Sequence, residues 1–163
     1  MKRIIIFLLL VAVIGGVAYW QMTDDSRIGA WNPKNATYQI EGVDTSLSDG
    51  SLGDVAMFGE PTYGDLNGDG TNDAGVVLVR ASEGSGTFYY ITAAIYDEGK
   101  WYGTNSFLMG DRIAPQTVEI RDGILIANYA ERNPGEPFTT RPSRGVSRYL
   151  RLIDGALTEV EQP

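Results

Sequence analysis

Polar and apolar residues alternate along most of the chain. In Thr87 to Tyr96, Tyr89, Ile91, Ala93 and Ile95 fall on one face of an extended segment, with Phe88, Tyr90, Thr92, Ala94 and Tyr96 on the other. That period of two is the signature of a pleated strand. Just before it, Val76-Val77-Leu78-Val79 is apolar without interruption, which a strand with one wet face would not be. It reads as a central strand. Turn chemistry then marks three hairpins. Asp97-Glu98-Gly99-Lys100 leads into a strand from Trp101 to Met109. Asp122-Gly123 joins Val118–Arg121 to Ile124–Tyr129, and Asp154-Gly155 joins Arg148–Ile153 to Ala156–Val160. Earlier, Thr37 to Gly42 opens the series, and a turn at Ser48-Asp49-Gly50-Ser51 precedes Val55 to Phe58. No amphipathic helical period follows residue 20. About seven or eight short antiparallel strands predict a mainly β domain, an antiparallel sandwich or a small barrel.

The amino terminus has a different pattern. Lys2 and Arg3 precede seventeen uncharged residues, Ile4 to Trp20, about the minimum for one transmembrane helix. Basic residues ahead of the segment predict an inside amino terminus and an exported remainder, with Tyr19 and Trp20 at the interface. A cleaved signal peptide is the alternative, since Gly16 and Ala18 offer small residues for processing. Either way the rest of the chain lies outside the cytoplasm. Residues 1–20 are thus expected to anchor, the polar residues 21–35 to tether, and residues 36–163 to form the exported β domain.

Charge narrows the partners. The chain carries a formal net charge of −8, and two of its basic residues, Lys2 and Arg3, precede the apolar segment, so the exported part is more acidic still. Such a surface disfavours nucleic acid and anionic headgroups and concentrates cations. With no Cys, stability must come from a packed core rather than disulfides. The absence of His and Cys also removes His-assisted nucleophiles and the usual zinc sites. Carboxylate chemistry of the glycosidase kind remains, but no acid pair sits in a recognisable motif, and an enzyme is not expected.

The densest chemistry lies in Tyr63-Gly64-Asp65-Leu66-Asn67-Gly68-Asp69-Gly70-Thr71-Asn72-Asp73. Asp65, Asn67, Asp69 and Asp73 place side-chain oxygens at alternate positions, the carbonyl of Thr71 fills the gap, and Gly70 permits a sharp turn. Calcium takes about 6–8 oxygen ligands at ~2.3–2.6 Å, and a curled loop of this spacing suits it. The twelfth position from Asp65 is Val76 rather than Glu, so this is no EF-hand and Asp73 would have to close the site. A bare interstrand turn would select the same Asp, Asn and Gly residues, but three carboxylates this close repel one another. The loop resembles the calcium loop of FG-GAP and related extracellular repeats, in which such a segment leads into a buried strand. That resemblance implies a structural Ca2+ held by Asp65, Asn67, Asp69, Thr71 and Asp73. The motif occurs once, so no propeller is implied.

Elsewhere, Arg112 and Arg132 flank the second hairpin and would cradle an anion if they met at one sheet end, with Asp111, Glu131 and Glu136 as acceptors. The simpler reading is an Arg112–Glu131 ion pair that pins the Pro-rich loop from Asn133 to Pro142. Tyr90, Tyr96, Trp101 and Tyr102 form a possible sugar platform, or cross-strand core pairs. The acidic loop, Gly-Thr-Phe-Tyr-Tyr at 86–90, Gly-Asp-Arg-Ile-Ala-Pro at 110–115 and Asn-Tyr-Ala-Glu-Arg-Asn-Pro-Gly-Glu-Pro at 128–137 together resemble a group of bacterial envelope proteins and lipoproteins over most of Ala36 to Val160. The resemblance implies an envelope location and no particular activity, and this chain lacks the lipoproteins' anchoring Cys. The expectation is a membrane-anchored, calcium-stabilised binding or structural module of the envelope, with an envelope protein or glycan as partner. The alternative is a glycan-binding or glycan-hydrolysing protein that uses carboxylates and exposed aromatics.

Overall fold

A computed structural model describes residues 29–82, 84 and 86–163. The fold is mainly β, and its curled sheets form a half-barrel. The strands are β1 (Thr37–Ile40), β2 (Val43–Ser46), β3 (Ser51–Leu52), β4 (Val55–Met57), β5 (Thr62–Gly64), β6 (Asp73–Ser82) and β7 (Gly86–Asp97). They continue as β8 (Lys100–Gly103), β9 (Phe107–Asp111), β10 (Ala114–Arg121), β11 (Ile124–Glu131), β12 (Arg144–Ile153) and β13 (Ala156–Val160). A seven-stranded sheet runs β3-β4-β6-β7-β8, with β5 also on β6 and β9 also on β7. A four-stranded meander, β10-β11-β12-β13, and the hairpin β1-β2 complete the set. Every strand pair is antiparallel.

The β6–β7 pair lies at the centre because neither of its faces is polar. Val77 sits opposite Ile91, and Leu78 opposite Tyr90, so alternation sends the two pairs to opposite faces. Val77, Ile91 and Ala93 meet Leu125, Ala127, Tyr129, Leu150 and Leu157 of the meander. Val76, Leu78, Tyr90 and Ala94 meet Tyr38, Ile40, Leu47 and Val55. Leu78, Leu125 and Leu150 are fully buried, each contributing about 1.5–3 kcal/mol. The continuous apolar run therefore marks a strand covered from both sides.

Glycines sit where the layers approach most closely. A Cβ on Gly75 would lie 2.6 Å from Leu125 Cδ1, and one on Gly64 2.7 Å from Ile120 Cβ. At Gly103 it would lie 2.2 Å from the Thr37 carbonyl oxygen. Only hydrogen fits there.

The three hairpins form as their turns predict. The strand expected from Trp101 to Met109 instead breaks into β8 and β9 on the same edge of β7. Thr104 Oγ1 accepts the Ala93 N–H at 3.1 Å, while the Thr104 N–H donates to Ala93 O at 2.9 Å. Asn105 then turns away, accepting the Leu157 N–H at 2.7 Å and donating to Leu157 O at 3.0 Å. The Ser106 N–H donates to Gln39 O at 2.9 Å, and the Gln39 N–H to Thr104 O at 3.0 Å. This break fastens both outer layers to the central sheet.

Residues 29–35, expected to be tether, pack on the domain. Ala30 and Trp101 exchange backbone hydrogen bonds of 2.9 and 2.8 Å. Pro33–Asn35 forms a 3-10 turn whose Pro33 carbonyl accepts the Tyr38 hydroxyl at 2.7 Å. Among the described residues no helix is long and apolar enough to cross a membrane. The expected anchor, residues 1–20, lies outside them.

Gly103→Ala is expected to lower stability by about 1–3 kcal/mol through overpacking. Gly145→Ala, where an added Cβ meets nothing within 4 Å, should stay within about 0.5 kcal/mol. Urea denaturation of both variants checks the contrast.

Candidate metal loop and polar cleft

The acidic loop connects β5 to β6, which pair through Gly64 and Asp73. Leu66 plugs into the core beneath it, and Gly68 and Gly70 take φ of 82° and 85°, so the chain curls tightly. The carboxylates serve the loop's own backbone. Asp65 accepts the Gly68 N–H at 2.6 Å and the Gly70 N–H at 3.0 Å. Asn67 Oδ1 accepts the Asp69 N–H at 2.9 Å, and its amide nitrogen donates to Asp69 at 2.8 Å. Thr71 donates both its hydroxyl and its N–H to Asp69. The Thr71 hydroxyl, then its N–H and the Asn67 amide, hold the Asp69 carboxyl below its ordinary value.

Asp73 behaves differently, being wholly buried. Its Oδ2 accepts the N–H of Leu66 at 2.9 Å and of Asn67 at 3.2 Å, and its Oδ1 the N–H of Tyr96 at 3.0 Å. It therefore ties the start of the loop to β7. Burial pushes its carboxyl up from the ordinary value, against these three N–H donors. Among the described residues no three acidic groups converge closely enough to hold a metal ion. The donor set, all hard oxygen, still suits calcium chemically. Asp65 is half-buried and Asn67 and Asp69 are exposed, whereas Asp73 is committed to the framework.

Arg112, Glu131 and Arg132 do not form an anion cradle. Arg132 donates to the carbonyls of Thr140 at 2.6 Å, Arg112 at 2.9 Å and Phe138 at 3.1 Å. Arg112 pairs with Asp111 at 3.0 Å, and Glu131 pairs with Arg144, its neighbour across β11–β12. The Arg112–Glu131 pair is thus replaced, because strand register delivers Arg144 to Glu131 first. The Phe138 ring packs on both guanidinium groups, 4.5 Å from Arg112 and 5.7 Å from Arg132. Arg132 is what pins the Pro-rich loop. Glu136 closes it by accepting from the Asn133 side chain and N–H, which lower its pKa.

The aromatic row divides as well. Tyr90 is buried and donates its hydroxyl to Glu41 at 3.0 Å. Trp101 meets Tyr96 at 5.0 Å and the exposed Tyr63 at 6.0 Å between ring centroids. Beside Trp101 and Tyr102 opens a cleft of about 470 Å³, bounded by the β1–β2 hairpin, β8 and the β12–β13 turn. Gln39, Asp44, Asp97 and Asn105 line it. Sequence reasoning does not single these four out, because no local motif joins them and Asp97 reads as a turn residue.

No family model, curated protein or solved structure matches this chain.

Asp73→Asn is expected to cost about 1–3 kcal/mol, with or without calcium, since an amide turns a donor toward a buried N–H. Thermal melting in chelator, beside Glu161→Gln as an exposed control, checks it. Arg132→Lys keeps the charge but loses the fork that spans three carbonyls. It should speed hydrogen exchange and proteolysis within residues 133–142 while leaving β10–β11 protected.

Proposed function

We propose that this chain is an extracytoplasmic binding or structural module of the cell envelope, held at the membrane by its apolar segment Ile4–Trp20 and stabilised by calcium at the loop of residues 65–73. The observation that carries the reading is the coupling through Asp73. This buried carboxylate receives N–H groups from the loop and from β7, so whatever orders the loop also steadies the central strand pair. Asp65, Asn67, Asp69 and the Thr71 carbonyl would hold the ion, with Asp73 supporting them from below. A bound cation would neutralise the mutual repulsion of the carboxylates. The role is structural and needs no catalytic group, in keeping with a chain that lacks His and Cys.

The test compares melting of the wild type and of Asp65→Asn combined with Asp69→Asn, in calcium and in chelator. These positions are chosen because changing Asp73 would disturb the framework directly. With calcium about a hundredfold above its dissociation constant, the ion should add about 2.7 kcal/mol, or ~5–10 °C for a domain of this size. The double variant should show no difference between the two conditions. A wild-type midpoint indifferent to chelator would refute calcium binding and leave the loop a self-satisfied turn.

A further inference from the structure

We propose that the cleft at the β8 edge binds a neutral, extended oligosaccharide. The inference goes beyond the calcium reading and does not rest on it. Its volume of about 470 Å³ lies within the range of small-ligand sites, roughly 300–1,000 Å³. The lining is rich in acceptors and contains no Lys or Arg, so an anionic ligand would meet repulsion without a counter-charge. Gln39 and Asp44 stand opposite each other across β1–β2, and both are exposed. Among the described residues neither they nor Asp97 have a side-chain hydrogen-bond partner. They are available to receive ligand hydroxyls.

The placement of the rings separates a sugar from a cation. Trp101 and Tyr102 are consecutive in β8, so their side chains leave opposite faces of the strand. Trp101 lies opposite Tyr96, with its ring against Tyr96 and Tyr63, whereas Tyr102 lies opposite Ile95 on the face that carries Asp97, and Ala30 pairs along the strand edge at Trp101. Rings arranged this way do not converge on one ammonium group, as a cation–π cage requires. Tyr102 offers an apolar surface beside Asp97 for the C–H face of one sugar unit, while the hydroxyls of that unit and its neighbours donate to carboxylate and amide oxygens. The floor is already rigid, because Asn105 is bonded in both directions to Leu157 and Thr104 to Ala93. Little ordering would remain to oppose binding.

The experiment titrates the full-length protein, kept in a non-glycosidic detergent, with cellotetraose, chitotetraose and maltotetraose, and with tetralysine as the cationic probe. Calorimetry and tryptophan fluorescence provide the readouts, in calcium and in chelator. At least one tetrasaccharide should bind, and Tyr102→Ala should weaken it about tenfold or more through lost stacking. Asp97→Ala and Gln39→Ala, at exposed positions that leave the core alone, should weaken it too, and remote Glu136→Gln should not. If Tyr102→Ala fails to fold, those two exposed variants decide. The proposal is overturned if no tetrasaccharide binds, if tetralysine binds in place of the sugars, or if sugar binding survives both Asp97→Ala and Gln39→Ala. Because melting reports the calcium loop separately, either reading can fail without the other.

Discussion

The β6–β7 ladder is dry on both sides, and each remaining part of the domain answers to that constraint. Val77 and Ile91 require one apolar cover and Leu78 and Tyr90 another, since alternate residues of a strand cannot share a face. The meander β10–β13 supplies the first and the β1–β2 hairpin the second. Neither cover is bound to the central sheet by a long ladder. They are held by packing, by glycines that allow backbone to approach side chain, and by the interruption between β8 and β9. At that interruption Thr104 keeps the pairing with Ala93, while Asn105 and Ser106 reach the two outer layers. A strand that ran on unbroken would have satisfied itself and left the layers unlinked.

The acidic loop shows how a polar segment is carried next to such a core. Its carboxylates lie close enough to repel, yet each accepts N–H groups that the tight turn leaves without ladder partners. Charge-assisted bonds of this kind are stronger than neutral ones. The division of labour follows burial. Asp73 lies under the loop and ties it to β7, Asp65 is half-buried within it, and Asp69 is exposed.

Cationic side chains are spent on structure in the same way. Arg132 satisfies two carbonyls of a Pro-rich loop that has no strand to bond, and the Arg112 carbonyl besides. Arg80 pairs with Glu41 at 3.0 Å and lies over the rings of Phe88 and Tyr90. Arg148 bridges the Tyr129 hydroxyl and Glu159. What remains at the β8 cleft is a surface of acceptors and rings, so the chemistry open to a partner differs from the average chemistry of the chain.

Much of this architecture is legible in the amino-acid sequence, because its causes are local. Alternation assigned the two faces of β7, an unbroken apolar run marked β6 as doubly covered, and Asp-Gly pairs placed the later turns where φ must be positive, as at Asp122, Gly123, Asp154 and Gly155. The spacing of Asp65, Asn67 and Asp69 likewise announced a tightly curled loop. Other features depend on residues brought together from far along the chain. Residues 29–35 join the domain because Ala30 finds Trp101, and the strand after Trp101 breaks because Asn105 finds Leu157. Arg112 loses Glu131 because register hands that carboxylate to Arg144, and the cleft exists because Asp44, Asp97 and Ala156 converge from three hairpins. Periodicity and turn chemistry act over a few residues, so sequence alone determined strands, turns and their faces. Which strands, side chains and backbone groups become partners is decided by packing across the fold, where burial and register choose among many groups of equal local merit.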